Sequence, residues 1–225
     1  MGDIAKRVEG VRRAISEALR RSADPGREVT IVAITKTAPA RVIDEVAAAG
    51  IADIGESRVQ EAAEKAPQVR AQVRWHLVGH LQRNKARRAA DLFSVIHSVD
   101  SAALLDALET TARPLGVFLE INVAGDANKH GARPDEALDL LQRASRIGTL
   151  TVLGLMTVPP LEADPRPVFR TLRELRDDLD RRGDAPPLKG LSMGMSGDFE
   201  VAVEEGATHV RIGTAIVGAR SRPGR

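Results

Sequence analysis

Val29-Thr30-Ile31-Val32-Ala33-Ile34-Thr35-Lys36 is a β-branched apolar run closed by a lysine, with Pro39 shortly after. A run without polar alternation predicts a strand covered on both faces, as in a parallel sheet enclosed by helices. Such folds gather their chemistry at the carboxyl ends of strands, where Lys36 stands. A desolvated lysine there can lose its proton and attack a carbonyl carbon. An isolated lysine at a strand end is more often simply solvated, so the rest of the chain must decide.

Outward from this run, short apolar segments recur at 51–55, 74–79, 92–98, 116–123, 150–157, 188–193 and 208–212. Between them lie Ala-, Leu- and Arg-rich segments with helical spacing, at 40–49, 58–71, 82–90, 101–112, 134–146, 166–182 and 197–205. Asp100-Ser101 and Ser196 suit N-caps, and Gly50, Gly183 and Gly206 suit helix ends. Ahead of the first strand, Ile4, Val8, Val11, Ile15 and Leu19 form one stripe of an amphipathic helix ended by Asp24-Pro25-Gly26. Eight strands separated by seven helices, with a short helix after Thr214, predict one α/β domain over 1–225. Its fold is a (β/α)8 TIM barrel with an extra N-terminal helix (1–25) and a frayed tail (220–225). A doubly wound open sheet accommodates the same alternation and stays as the alternative.

Composition bounds the function. Of 225 residues, 43% are hydrophobic and 28% charged, the profile of a soluble globular protein. Lys+Arg 33 against Asp+Glu 31 nearly cancel, so a pI near 9.3 reflects a small excess of bases and gives no reason to expect a nucleic-acid partner. The absence of cysteine removes disulfides, thiolate metal sites and cysteine nucleophiles. No stretch approaches the roughly 20 apolar residues of a membrane span. The first residues carry no signal-peptide core, and Lys6 stands where myristoylation needs Ser or Thr. A cytoplasmic protein with no membrane partner is the expectation.

Two turns near the carboxyl terminus suit a phosphate. Gly194-Met195-Ser196-Gly197 leads the seventh strand into a helix, and Gly213-Thr214 follows the eighth strand, His209-Val210-Arg211-Ile212. Each presents backbone N–H groups beside a hydroxyl, and barrels commonly bind phosphate after strands 7 and 8. Either alone is an ordinary glycine turn; two adjacent ones on the rim that carries Lys36 suggest pyridoxal 5′-phosphate (PLP) held as a Lys36 aldimine. Arg211 would then point toward the ring nitrogen, where a permanent guanidinium disfavours protonation and weakens carbanion chemistry. A salt bridge at the barrel mouth is its plainer role. Gly190, Gly194 and Gly197 do not have the dinucleotide spacing.

The chain resembles the YggS/PROSC family of pyridoxal phosphate homeostasis proteins. The likeness rests on Ala33–Thr37, Ile54–Glu61, Trp75–Lys85, Ile96–Asp100, Gly154–Thr157, Leu191–Ser196 and Val210–Thr214, and covers nearly the whole sequence. It implies a barrel like that of alanine racemases without their β-rich second domain. It further implies Lys36 as the aldimine lysine, Ser196, Gly213 and Thr214 around the phosphate, Arg211 facing the ring nitrogen, and His76 and Met156 around the ring. The family usually shows Gly-Glu-Asn where this chain has Gly55-Glu56-Ser57; Ser57 is shorter and has no amide to donate. A family lysine in the loop after strand 5 matches Lys129.

Two functions follow: a non-catalytic carrier that stores, buffers or delivers PLP, with apo PLP-dependent enzymes as partners, or a PLP-dependent amino-acid racemase or relative. Racemization needs a base on each face of the α-carbon. By the resemblance, the second base would be a tyrosine from the missing domain, and this chain has no tyrosine. His76 or His80 could substitute in principle, but the carrier is favoured. The other signals read as ordinary structure. Arg83, Lys85, Arg87 and Arg88 lack interleaved aromatics and read as a solvated helix face. His76 and His80 lack a carboxylate trio, so no metal is expected. His97 and His209 lie within predicted strands. Asp44-Glu45, Asp177-Asp178 and Glu204-Glu205 read as solvated helix faces. Gly125–Gly131 reads as a polar loop suited to a lid, or as plain surface.

Overall fold

The computed structural model describes residues 2–161 and 163–218; the predicted tail at 220–225 lies outside them. Eight parallel strands, β1 (Thr30–Ile34), β2 (Asp53–Glu56), β3 (Arg74–Leu77), β4 (Val95–Val99), β5 (Leu115–Glu120), β6 (Leu150–Met156), β7 (Gly190–Met195) and β8 (His209–Ile212), close into a barrel in sequence order. Closure runs through β1 and β8, with Val32 opposite Arg211. The open doubly wound alternative is thereby eliminated.

The outer ring comprises α2 (Ala40–Ala48), α3 (Val59–Lys65), α4 (Ala86–Leu92), α5 (Ala102–Glu109), α6 (Ala137–Arg146), α7 (Pro165–Arg182), α8 (Phe199–Glu204) and the short α9 (Thr214–Val217). Several predicted boundaries shift by a few residues, two of them for clear local reasons. The 58–71 helix stops at Lys65, and Ala66–Gln68 turn as a 3-10 segment, because Pro67 has no N–H for an α-helical bond. The fourth strand starts at Val95, since α4 runs on through Leu92. Gly183 closes α7 in the left-handed conformation, as expected.

The N-terminal helix α1 (Asp3–Arg20) buries Ile4, Val8, Val11, Ile15 and Ala18. It packs outside the ring against α8, α9 and α2. Outward-facing strand residues such as Ala33, Ile54, Leu77, Val117, Leu155, Leu191 and Val210 join the inner faces of the helices in one continuous apolar core. Glu205 departs from expectation. It is buried and accepts hydrogen bonds from Arg166, Arg170 and Arg173 of α7, which fasten α7 to the end of α8.

Candidate functional site

Strand alternation decides which side chains enter the barrel. A Cβ on Gly55 would stand 2.4 Å from Ile34 Cδ1 and 3.0 Å from Val32 Cγ1, so both β1 side chains fill the interior beside it. Lys36 follows in the same alternation, two residues past the strand, in a turn on the open carboxyl-terminal rim. There it is exposed. The desolvation expected of this lysine is therefore not supplied by the chain itself.

The turn carrying Lys36 is held from below. Thr37 adopts φ 66°, a left-handed conformation that a β-branched residue rarely accepts, and its N–H donates to Glu61 Oε1 at 2.5 Å. Lys65 Nζ, buried behind the turn, donates to Thr35 O (2.9 Å), Glu56 Oε1 (2.9 Å) and Glu61 Oε1 (2.6 Å). The Thr35 hydroxyl adds a bond to Glu56 Oε1 at 2.7 Å. Glu56 Oε2 has no partner among the described residues, and burial pushes this carboxyl upward despite Lys65 and Thr35.

On the β7–β8 side the predicted cradle is assembled. The Ser196 hydroxyl accepts the N–H groups of Gly213 (3.1 Å) and Ala215 (3.4 Å), and α9 begins at Thr214. Ser196 is not the N-cap of α8. Asp198 takes that position, its carboxylate accepting the Met195 N–H at 2.5 Å, because the serine is committed to the neighbouring turn.

Arg211 is buried below this cradle. Nη1 donates to Ser192 O (2.7 Å) and Ser192 Oγ (2.8 Å), and Nη2 to Thr157 O (3.0 Å). A guanidinium has five N–H groups; the other two have no partner among the described residues. Burial lowers its pKa to about 10, with the more distant Glu120 and Asp198 opposing. The mouth salt bridge considered for it is absent among the described residues.

A buried chain of hydrogen bonds continues from Arg211. Ser192 Oγ lies 2.7 Å from His97 Nδ1, His97 Nε2 lies 2.9 Å from His76 Nδ1, and His76 Nε2 lies 2.7 Å from Asp53 Oδ1. Arg74 donates to the same Asp53 oxygen at 2.6 Å. A guanidinium only donates and a carboxylate only accepts, so the chain has one direction. Ser192 gives its proton to His97 Nδ1; His97 and His76 each carry theirs on Nε2. Burial keeps both rings neutral by lowering their pKa values, for His97 far below the ordinary range. Burial alone would raise Asp53, but the bonds from His76 and Arg74 prevail and bring it to about 2. The predicted His76 thus reaches Arg211 only through His97 and Ser192.

Met156 lies inside the barrel with Phe118 and Val95. Phe118 also stacks on His97 and meets His209 edge-on. Opposite Met156 in register is Glu120 at the end of β5. This carboxyl is buried, has no hydrogen-bond partner among the described residues, and is raised to about 7 by burial and the charge of Asp100. Ser57 is not part of the cradle; it borders a groove of about 290 Å³ with His80 and Arg88. Lys129 Nζ is taken up by the carbonyls of Pro159 (2.7 Å) and Val158 (3.3 Å). His80 lies on the rim with Asp100 and His130.

Comparison with known proteins gives this geometry a family. Residues 13–221 match the family model of the alanine racemase N-terminal domain. The pyridoxal phosphate homeostasis protein of Aquifex aeolicus is 39% identical, over 96% of this chain and 97% of that protein. The chain belongs to the pyridoxal phosphate homeostasis protein family. A second member, from Pseudomonas aeruginosa, is 38% identical over 98% of this chain and 97% of its own. Among solved structures, PipY of Synechococcus elongatus PCC7942 without PLP superposes with a TM-score of 0.86 at 35% identity, over 96% of this chain and 100% of PipY. PipY with PLP bound gives 0.84 at 34% identity over the same shares. Alanine racemase of Corynebacterium glutamicum shares the fold, with a TM-score of 0.64 at 18% identity.

The sequence reading missed Asp53, His97, Ser192, Glu120 and Lys65 as site residues. All but Lys65 are polar residues within otherwise apolar strands at barrel-facing positions, a signal that alternation alone can expose.

Proposed function

We propose that this protein is a cytoplasmic PLP carrier, binding the cofactor at the barrel's carboxyl-terminal rim and linking it covalently to Lys36. The observation that carries the proposal is the convergence, on one rim, of a free lysine, a two-turn phosphate cradle and a buried arginine with two spare donors. The donor set fits: the Ser196 hydroxyl proton and the Thr214 hydroxyl and N–H have no acceptor among the described residues and would face a phosphate, beside the Gly213 N–H that Ser196 accepts, and Arg211 offers N–H to an aromatic nitrogen. PLP bound in PipY supports the same ligand here. When bound, the cofactor supplies an electrophilic aldehyde carbon and a pyridine ring.

Each residue then has a defined task. The Lys65–Glu61–Glu56 clamp orients the turn that presents the Lys36 amine. Arg211, held by Ser192 and Thr157, would donate to the ring nitrogen and, as a cation, oppose a proton there. Met156, His76 and His97 are buried in the barrel interior and would shield the ring from water on that side. Ser57 adds at most a hydroxyl at the edge.

Storage, buffering or delivery to apo PLP-dependent enzymes, rather than racemization, is favoured by the absence of tyrosine and by the names of the relatives. The test is to load the protein with PLP and incubate it with amino acids in deuterium oxide. Saturable binding with no α-hydrogen exchange above that of free PLP supports the carrier; exchange at enzymatic rates identifies a racemase.

A further inference from the structure

The β5–α6 connection is a closed loop with its tip on the barrel mouth. Its base is pinned by the Ile121–Ala132 bridge, the Asn122 N–H to Ala132 O bond (2.9 Å) and the Ala132 N–H to Glu120 O bond (2.8 Å). Gly131 is needed there: φ is 115°, and a Cβ would lie 2.6 Å from Asn122 N. The tip reaches in two directions. Lys129 holds the β6 side through Pro159 O, and His130 reaches the β3 side, where its ring stacks on His80 at 3.8 Å with planes 11° apart.

Beside the stacked rings is Asp100, which follows β4. Its Oδ2 lies 3.4 Å from His80 Nδ1, while Oδ1 accepts the Ser101 hydroxyl. One ligand atom from each of His80, Asp100 and His130 lies within 4.8 Å of the others. No hydrogen bond engages the His130 ring among the described residues. Three donors from three successive strand exits thus converge where, among the described residues, Asp100 has no bonded lysine or arginine.

We infer that His80, Asp100 and His130 form a divalent transition-metal site that clasps the β5–α6 loop over the barrel mouth. Two imidazole nitrogens and one carboxylate oxygen suit Zn(II), and also Co(II), Ni(II) or Fe(II), with positions left open. Zn–N distances of about 2.0–2.1 Å place tetrahedral donors roughly 3.3 Å apart, so the cluster must contract by about 1.5 Å at most. Stacked rings hold their lone pairs nearly parallel; both rings must rotate out of the stack to aim them at a common point. Both histidines are exposed and free to do so. The inference stands independently of the PLP reading.

The test is titration of metal-free full-length protein with Zn(II) by calorimetry, and with Co(II) by visible d–d absorption, alongside H80A and H130A. Circular dichroism verifies the fold of both variants. One equivalent bound by the parent, at least tenfold weaker binding by each variant, and slower amide exchange across 125–131 on Zn(II) addition are expected. No saturable uptake by the parent, or variants that bind as tightly as it does, overturns the site. Site-specific binding without added protection of the loop overturns the clasp.

Discussion

Arg211 and His97, on strands four apart in the barrel, meet on one hydroxyl: Ser192 Oγ lies 2.8 Å from Arg211 Nη1 and 2.7 Å from His97 Nδ1. The arginine at the rim is thereby tied to a carboxylate, Asp53, at the amino-terminal end of the barrel.

Removing that hydroxyl is the first prediction. Ser192→Ala leaves a buried His97 nitrogen without its donor and one guanidinium N–H without an acceptor, at a cost of about 1–3 kcal/mol. Urea unfolding should show that loss, and PLP retention on dialysis should fall because the guanidinium keeps only its bonds to the Ser192 and Thr157 carbonyls.

Lys65 offers a sharper contrast. Lys65→Met strands Glu56 with a buried, uncompensated carboxyl and should cost about 3–5 kcal/mol. Adding Glu56→Gln to that variant removes the charge and should recover part of the stability in the same unfolding measurement. A double variant no more stable than Lys65→Met alone would contradict the clamp.

The pH dependence follows from Glu120, measured in metal-free protein. Its carboxyl is raised from 4.5 to about 7, so between those values the folded state holds a proton that the unfolded state has released. Its contribution to stability is therefore greatest in acid, declines as pH rises from 4.5 to 7, and stays low above. Glu120→Gln should be more stable than the parent at pH 8, by ~3 kcal/mol at the upper limit, and nearly equal at pH 4. Asp53 acts in the opposite sense: lowered from 3.8 to about 2, it stabilises above pH 3.8, and that contribution is lost as pH falls through 2. Stability profiles of the parent and Glu120→Gln separate the two.

Ser196→Ala isolates the cradle. The substitution removes the acceptor that Gly213 and Ala215 share and a hydroxyl facing the phosphate, so the equilibrium constant for PLP should weaken roughly tenfold or more. Far-UV circular dichroism should be unchanged.

The barrel was legible because its strands are buried on both faces and punctuated by helix-forming segments, so even the closing pair β1–β8 followed from counting. The rim turns were legible because glycine and hydroxyl residues cluster there. The interior chain was not: Asp53, His76, His97 and Ser192 come from four strands, and only barrel closure brings them together. Lys65 was hidden differently. In sequence it is one more helical lysine near Glu61, and its burial depends on how α3 lies against the Lys36 turn. The exposure of Lys36 was equally out of reach, because strand patterning does not tell where the last ladder bond ends.

The central claim is that one lysine tethers the cofactor. Protein loaded with PLP, reduced with borohydride, digested and mapped by mass spectrometry should carry a single phosphopyridoxyl group on Lys36, and Lys36→Ala should carry none there or elsewhere. Stoichiometric label on Lys129 or any other lysine, or an unlabelled chain despite saturating PLP, would contradict the account.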